Sequence, residues 1–252
     1  MPKRWFFYAM KTLLSYLLTP IFYLCFGSVM VVFDPIQRIS LNLFGHKAHD
    51  NVITLINYLL MGAMRVLGAQ FEIKGHLNLP TDRPLIIAAN HQSMYDMPGI
   101  FWYFRKHHPK FVVKKELAKG IPTISYNVRR GGTVTIDRQN PKQAIVAIYQ
   151  LAHLIQQHKF AAVIFPEGTR SRSGAMKPFK PAGLQALLKK APDALLVPLT
   201  INNTYKFTFK GMFPLALGVK VSYYIHEPLE NKGDHLALIA TAEEAVRSKL
   251  QN

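Results

Sequence analysis

The chain of 252 residues has a single cysteine, Cys25, and only 14 acidic residues against 31 Lys and Arg. One cysteine excludes an intrachain disulfide and a cysteine-rich zinc centre, so the fold must hold by packing, which suits a reducing, cytosol-facing location. The shortage of carboxylates leaves a net charge of +17 and excludes an acidic, solvating protein. Charge of either sign is scarce at 18%, while 49% of residues are hydrophobic. That balance excludes extensive disorder and suffices for one well-buried domain of ordinary size. Internal repeats, low-complexity tracts and long linkers are also missing. A basic excess of this size calls for a polyanionic partner, either nucleic acid or the headgroup layer of a membrane.

The N-terminus favours the membrane. Residues 12–33 carry no formal charge and are mostly Leu, Phe, Tyr, Val and Ile. As a helix this run is roughly 33 Å long, close to the ~30 Å hydrocarbon thickness of a bilayer. Lys3 and Arg4 precede it, as in a secretory signal, but no small-x-small cleavage site follows and the aromatic content is high. A buried core helix is the other competing reading. Pro20 is expected to break the run into two short apolar pieces that dip into one leaflet and return. Lys3, Arg4 and Lys11 favour the cytosolic side for the N-terminal end. Asp34-Pro35 punctuates the chain next, 46–49 is expected as a loop, and Asp50 as the N-cap of an apolar helix running to Leu67 and stopped by Gly68.

From residue 70 the texture changes. Short apolar runs at 71–73, 85–89, 111–113, 133–136, 161–165, 195–201 and 219–225 predict seven strands. Asn140-Pro141 opens a helix with Ile145, Ile148, Ala152 and Ile155 on one stripe, and 181–191 and 235–249 predict two more. The fold class expected is α/β, a mixed, largely parallel sheet flanked by helices, preceded by an apolar helical membrane segment. The boundary is drawn between a membrane-associated region, 1–69, and a catalytic α/β domain, 70–252.

Two of these strands end in polar clusters, where α/β proteins place their sites. After 85–89 come Asn90-His91-Gln92-Ser93-Met94-Tyr95-Asp96. Blandly, this is a loop histidine followed by an N-capping aspartate. Chemically, the Asp96 carboxylate can accept from one ring nitrogen of His91, fixing its tautomer and leaving the other nitrogen as a general base. That is the orienting half of a catalytic triad without its serine, so the hydroxyl to be activated must arrive with the substrate. A metal site on His91 and Asp96 lacks a second histidine at ligand spacing. After 161–165 come Pro166-Glu167-Gly168-Thr169-Arg170-Ser171. The bland reading is a polar turn; the functional one is a phosphate cradle built from main-chain N–H groups around Gly168 and the Arg170 guanidinium. Between the clusters, Lys114, Lys115, Arg129, Arg130 and Arg138 are candidates for further phosphate contact, each with solvated surface charge as its alternative.

These residues resemble a known family. Asn90 to Asp96 is similar to the NHxSxxD form of the HX4D signature of glycerophospholipid acyltransferases, particularly the 1-acylglycerol-3-phosphate acyltransferases. Phe165 to Ser171 resembles that family's FPEGTRS motif. Lys114-Lys115-Glu116-Leu117, Pro122, Gly132 and Ile136-Asp137-Arg138 look like its intervening basic motif, and Val197-Pro198-Leu199 like its last block. The intervening stretch departs from many members: Lys119-Gly120 lengthens it, and Ser125 stands where a glycine is usual.

The resemblance implies transfer of a fatty acyl group from acyl-CoA or acyl carrier protein to the sn-2 hydroxyl of 1-acylglycerol-3-phosphate, giving phosphatidic acid. His91 and Asp96 are then the catalytic residues, and Lys114, Lys115, Arg138, Glu167, Gly168, Thr169 and Arg170 bind substrate. No metal and no cofactor are implied, since a thioester is already activated. The implied partners are the lysophospholipid, the thioester and membrane lipids, not nucleic acid, and the implied location is the cytoplasmic face of the cell membrane. The alternatives are the same chemistry on another lysophospholipid or a lyso-aminolipid, and a non-catalytic basic protein bound at the membrane surface.

Overall fold

A computed structural model describes residues 2–137 and 139–251, with side chains from residue 9 onward. Arg138, expected at the acceptor phosphate, lies outside the described residues, as do the side chains of Lys3 and Arg4. The chain begins with a long helical segment, α1 (Pro2–Arg65), which is two helical arms joined at Gly45 (φ 79°, ψ −173°). The expected break at Pro20 is therefore not where the chain turns. Proline supplies a helical φ and removes one hydrogen bond, a smaller cost than opening the backbone among apolar groups. Asp34-Pro35 is helical too. Asp34 accepts a hydrogen bond from the main-chain N–H of Thr123 at 2.6 Å, so this apparent punctuation is a tertiary tie. Asp50 is no N-cap either: it sits inside the second arm and holds His108 Nδ1 (2.9 Å) and Lys110 Nζ (2.7 Å).

The elements that follow are β1 (Gln70–Gly75), β2 (Leu85–Ala89), α2 (Asp96–Tyr103), β3 (Lys110–Lys114), α3 (Ile124–Arg130), β4 (Val134–Ile136), α4 (Pro141–His158), β5 (Ala161–Ile164), α5 (Pro181–Lys190), β6 (Leu195–Asn202), β7 (Lys220–Ile225) and α6 (His235–Ser248). The seven expected strands form one sheet in the order β1-β7-β6-β2-β5-β3-β4, parallel except where β6 meets β7. The short helices α2 and α3 were not legible, because seven or eight residues give too little periodicity to register. Local signals set the longer ones. Asn140 caps α4 by accepting from Gln143 N–H at 3.1 Å with Pro141 in the first turn, and Asp234 caps α6 through Leu236 N–H at 2.9 Å.

Alternation along the central strands divides the core. Leu85, Ile87, Ala161, Val163, Val197 and Leu199 face α1 and α2, while Ile86, Ala88, Ala162, Ile164 and Leu196 face α4, α5 and α6. Strands buried on both faces read as continuous apolar runs for this reason. Phe22, Ala63 and Met64 of α1, with Leu67 just after it, belong to the same buried cluster as the sheet, so the N-terminal segment shares the core of the domain drawn after residue 69.

The opposite face of α1 stays uncovered. Leu13, Leu14, Leu17, Ile21, Leu24, Val31, Val32, Ile36, Ile39 and Leu43 are exposed, and Phe209, Met212 and Phe213 extend the patch beside them. Tyr16 stacks edge-on against Phe213, and Thr19 Oγ1 accepts from Leu215 N–H at 3.0 Å, so the two pieces of this surface are joined. By length and composition, 9–65 is able to cross a membrane.

Candidate active site

Parallel neighbours end on the same side, so the sheet brings the ends of β6, β2, β5 and β3 to one edge. The chain leaving β2 carries His91 and turns into α2 at Asp96. His91 Nδ1 lies 2.7 Å from Asp96 Oδ2, and the same oxygen accepts the main-chain N–H groups of Gln92 (2.8 Å) and Ser93 (3.1 Å). Three donors around one oxygen mark an ionised carboxylate, which puts the proton of neutral His91 on Nδ1 and leaves Nε2 with its lone pair. Asp96 is fully buried, whereas 15% of the His91 side chain reaches solvent. The pair is thus a shielded orienting group behind an accessible base. Phe165 stacks under the imidazole with ring centroids 4.1 Å apart, fixing the ring plane.

Helix α2 holds this turn against β7, the second strand from the β1 edge of the sheet. The Tyr223 hydroxyl donates to the main-chain carbonyl of Asp96 at 3.2 Å, passing over Gly99. A Cβ at Gly99 would fall 2.2 Å from that hydroxyl, so only glycine admits the contact. Burial and the Asp96 charge push the Tyr223 phenol well above its ordinary value, so it remains a donor throughout the neutral range.

The chain leaving β5 meets His91 from the other side. Glu167 is buried, and its carboxylate accepts from His91 N–H (2.7 Å), from the Ser171 hydroxyl and from Lys177 N–H (2.8 Å). Ser171 N–H returns to the His91 carbonyl at 2.7 Å. Both Glu167 oxygens are engaged within the protein and fasten the two clusters together. Gly168 takes the left-handed conformation (φ 70°), and its N–H closes a turn onto the Phe165 carbonyl at 3.0 Å, so that N–H is not part of an anion cradle. Thr169 and Arg170 are exposed on this turn. Lys180, which the sequence reading passed over, lays its ammonium above Gly168, 3.6 Å from where a Cβ would be.

Lys114 and Lys115 are exposed at the end of β3. Lys115 Nζ pairs with Asp137 at 2.5 Å, a bond that holds the Asp137 carboxyl below its usual range and the lysine above its own. Ser125 is buried, donating to the Leu117 carbonyl (3.0 Å) and accepting from Ile121 N–H (2.9 Å), which gives the serine a structural reason in the lengthened loop. Two further contacts escaped the sequence reading, that of Thr204 on Asp96 and that of Asn90, quoted there only as part of its motif, on Ile201. Neither carries a local signal, because each partner is more than a hundred residues away.

The acyltransferase family model matches residues 70–202, and the chain belongs to that family. Among curated proteins it is similar to the chloroplastic 1-acyl-sn-glycerol-3-phosphate acyltransferase BAT2 of Brassica napus (30% identical over 160 residues, 63% of this chain and 44% of that one). It also resembles the 1-acyl-sn-glycerol-3-phosphate acyltransferase of Limnanthes douglasii (29% over 205 residues, 77% and 65%). It therefore spans about half to two thirds of the length of these relatives. Among solved structures, the 1-acyl-sn-glycerophosphate acyltransferase PlsC from Thermotoga maritima superposes with a TM-score of 0.78 at 27% identity, covering 96% of this chain and 95% of that one.

Proposed function

We propose that this protein transfers a fatty acyl group from a thioester, acyl-CoA or acyl carrier protein, to the sn-2 hydroxyl of 1-acylglycerol-3-phosphate, forming phosphatidic acid. The observation that carries the reading is the His91–Asp96 pair, with Nδ1 engaged on a buried carboxylate, Nε2 left without that partner, and part of the side chain reaching solvent. In the step it supports, Nε2 removes the hydroxyl proton as the oxygen attacks the thioester carbonyl. The imidazolium, stabilised by Asp96, then gives that proton to the departing thiolate. General-base assistance of this kind contributes about 10²- to 10⁴-fold, and holding the two substrates together supplies much of the remainder.

Charge on the same sheet edge supports a phosphate on the acceptor. Arg170 and Thr169 on the β5 turn, Lys114 and Lys115 at the end of β3, and Arg138 from the sequence reading are the proposed contacts. Glu167 is assigned a positioning role, and Gly168 the turn that carries Thr169 and Arg170 outward.

The membrane reading is supported by how α1 is held. Thr19, Phe22 and Asp34 contact Leu215, Tyr95 and Thr123 in turn, so the first arm lies along the domain over at least four helical turns. A helix tied down on one side and apolar on the other fits one leaflet better than a crossing, since a crossing would carry the attached domain into the hydrocarbon. An open groove lined by Leu13, Leu14, Leu17 and Leu217 continues the apolar face. We place the protein on the cytoplasmic face of the cell membrane, α1 lying at the interface and turning at Gly45.

An acceptor panel at fixed acyl-CoA, scored by product mass, tests the reading. Phosphatidic acid is expected from 1-acylglycerol-3-phosphate in preference to lysophospholipids with larger headgroups or lyso-aminolipids, and none from His91→Ala. Preference for another acceptor moves the assignment to that lipid, and near-normal turnover by His91→Ala removes the catalytic role of the pair.

A further inference from the structure

We propose that Thr204 is a positioning residue for the catalytic pair, pinning the Asp96 carboxylate so that its other oxygen faces His91. The inference rests on the acyl-transfer reading of the site and adds to it a residue that lies beyond the stretch matched by the family model, 70–202.

The placement is built from strand geometry. β6 is hydrogen-bonded to β2, and the Asn90 side chain spans the pair at its end, accepting from Ile201 N–H at 2.7 Å and donating to the Ile201 carbonyl at 2.8 Å. Asn203 then adopts a left-handed conformation (φ 71°), held by its amide donating to the Lys220 carbonyl at 2.8 Å. This reverses the chain at a fixed point, and the next residue, Thr204, is fully buried with its hydroxyl on Asp96 Oδ1. Three adjacent strands thus deliver the site: β2 the base, β5 the Glu167 fastening, and β6 the threonine.

The chemistry follows from counting donors. Asp96 Oδ2 receives His91 Nδ1–H and two main-chain N–H groups, all on one oxygen. A carboxylate held through one oxygen can still rotate about its Cβ–Cγ bond, and rotation would spoil the line to Nδ1. A donor on Oδ1 stops that rotation. The Thr204 oxygen also lies 3.3 Å from Gln92 Oε1, but a hydroxyl has one hydrogen, and the ionised carboxylate is the stronger acceptor. The other ionisable groups around the pair are Glu167, bound to the His91 main chain, and the Tyr223 phenol, bound to the Asp96 main chain. Neither donates to the Asp96 carboxylate. Thr204 therefore acts on substrate only through Asp96 and His91.

The test is a double-mutant cycle on the full-length protein, with acyl-CoA and 1-acylglycerol-3-phosphate in mixed micelles. Thr204→Val keeps the shape and removes the hydroxyl; Thr204→Ala is read in the same way should the valine methyl crowd the site. Expected is a fall in kcat of about ten- to hundredfold, the size of one charge-assisted bond, with both KM values nearly unchanged. Thr204→Ser should restore most of it, and in an Asp96→Asn background the valine should cost little more. Full activity in Thr204→Val overturns the proposal, as does an equal loss with Asp96→Asn, a change confined to KM, or a folded serine variant no better than the valine.

Ring ¹⁵N shifts of His91 supply a readout that does not depend on turnover. Wild type should show the Nδ1–H tautomer, and Thr204→Val a mixture of tautomers. An unchanged tautomer in the variant speaks against the role. A wild type that transfers no acyl group removes the functional reading while leaving this measurement to decide on Thr204.

Discussion

The Asn90 side chain hydrogen-bonds twice to the main chain of one residue, Ile201, accepting from its N–H and donating to its carbonyl. The residue before His91 is thereby locked to the strand that leads to Thr204. Replacing Asn90 with Leu leaves the buried Ile201 N–H and carbonyl unpaired, at about 1–3 kcal/mol. Thermal unfolding should show that loss, and kcat should fall beyond what the remaining folded fraction explains. Activity that simply follows the folded fraction would reduce Asn90 to a stabilising residue.

Arg170 is expected to serve the acceptor. Arg170→Ala should raise the KM for 1-acylglycerol-3-phosphate by about ten- to hundredfold, the equivalent of ~1.5–3 kcal/mol for a charge-assisted contact. The KM for acyl-CoA should hardly move. A rise for the thioester alone, with acceptor kinetics intact, reverses the assignment of the two subsites.

The uncovered face of α1 predicts how the protein sits on lipid. Exchanging exposed Leu17 and Leu24 for Glu should weaken co-sedimentation with anionic vesicles, since each buried leucine is worth about 1.5–3 kcal/mol. The melting temperature in detergent should be preserved. A single cysteine placed at residue 2 should react with an impermeant reagent from the same side as one in the catalytic domain. Protection of residue 2 alone means a true span.

Acid should weaken the fold through His226. The Thr200 hydroxyl donates to the Val246 carbonyl, so the contact between Thr200 Oγ1 and His226 Nε2 uses the ring N–H and suits the neutral imidazole. Burial, with Lys249 adding to it, lowers the His226 pKa from 6.5 to about 4. Between those values the unfolded chain binds a proton that the folded one refuses, so stability is present above pH 6.5 and falls as the pH drops towards 4. Chemical denaturation across that window should show the decline, and His226→Asn should lessen it, leaving the share of buried His49, whose pKa burial also lowers to about 4. A variant with the same slope as wild type assigns the decline to other groups.

The amino-acid sequence by itself determined the seven strands, the long helices α4, α5 and α6, and the His91–Asp96 pair. Each is written in local pattern: continuous apolar runs, capping side chains two or three residues before the N–H groups they accept from, and a histidine and aspartate one turn apart. What only the tertiary structure decided is the set of contacts between distant residues. Helix α1 runs through Pro20 and Asp34-Pro35 because Thr19, Phe22 and Asp34 are held by residues far along the chain, and packing of that kind outweighs the local cost of a proline. Glu167 fastens onto the His91 main chain because β5 lies beside β2 and brings its carboxylate there. Thr204 entered the site for the same reason on the other side, through β6. Strand order is a global property set by which buried faces pack together, and no window of local sequence contains it.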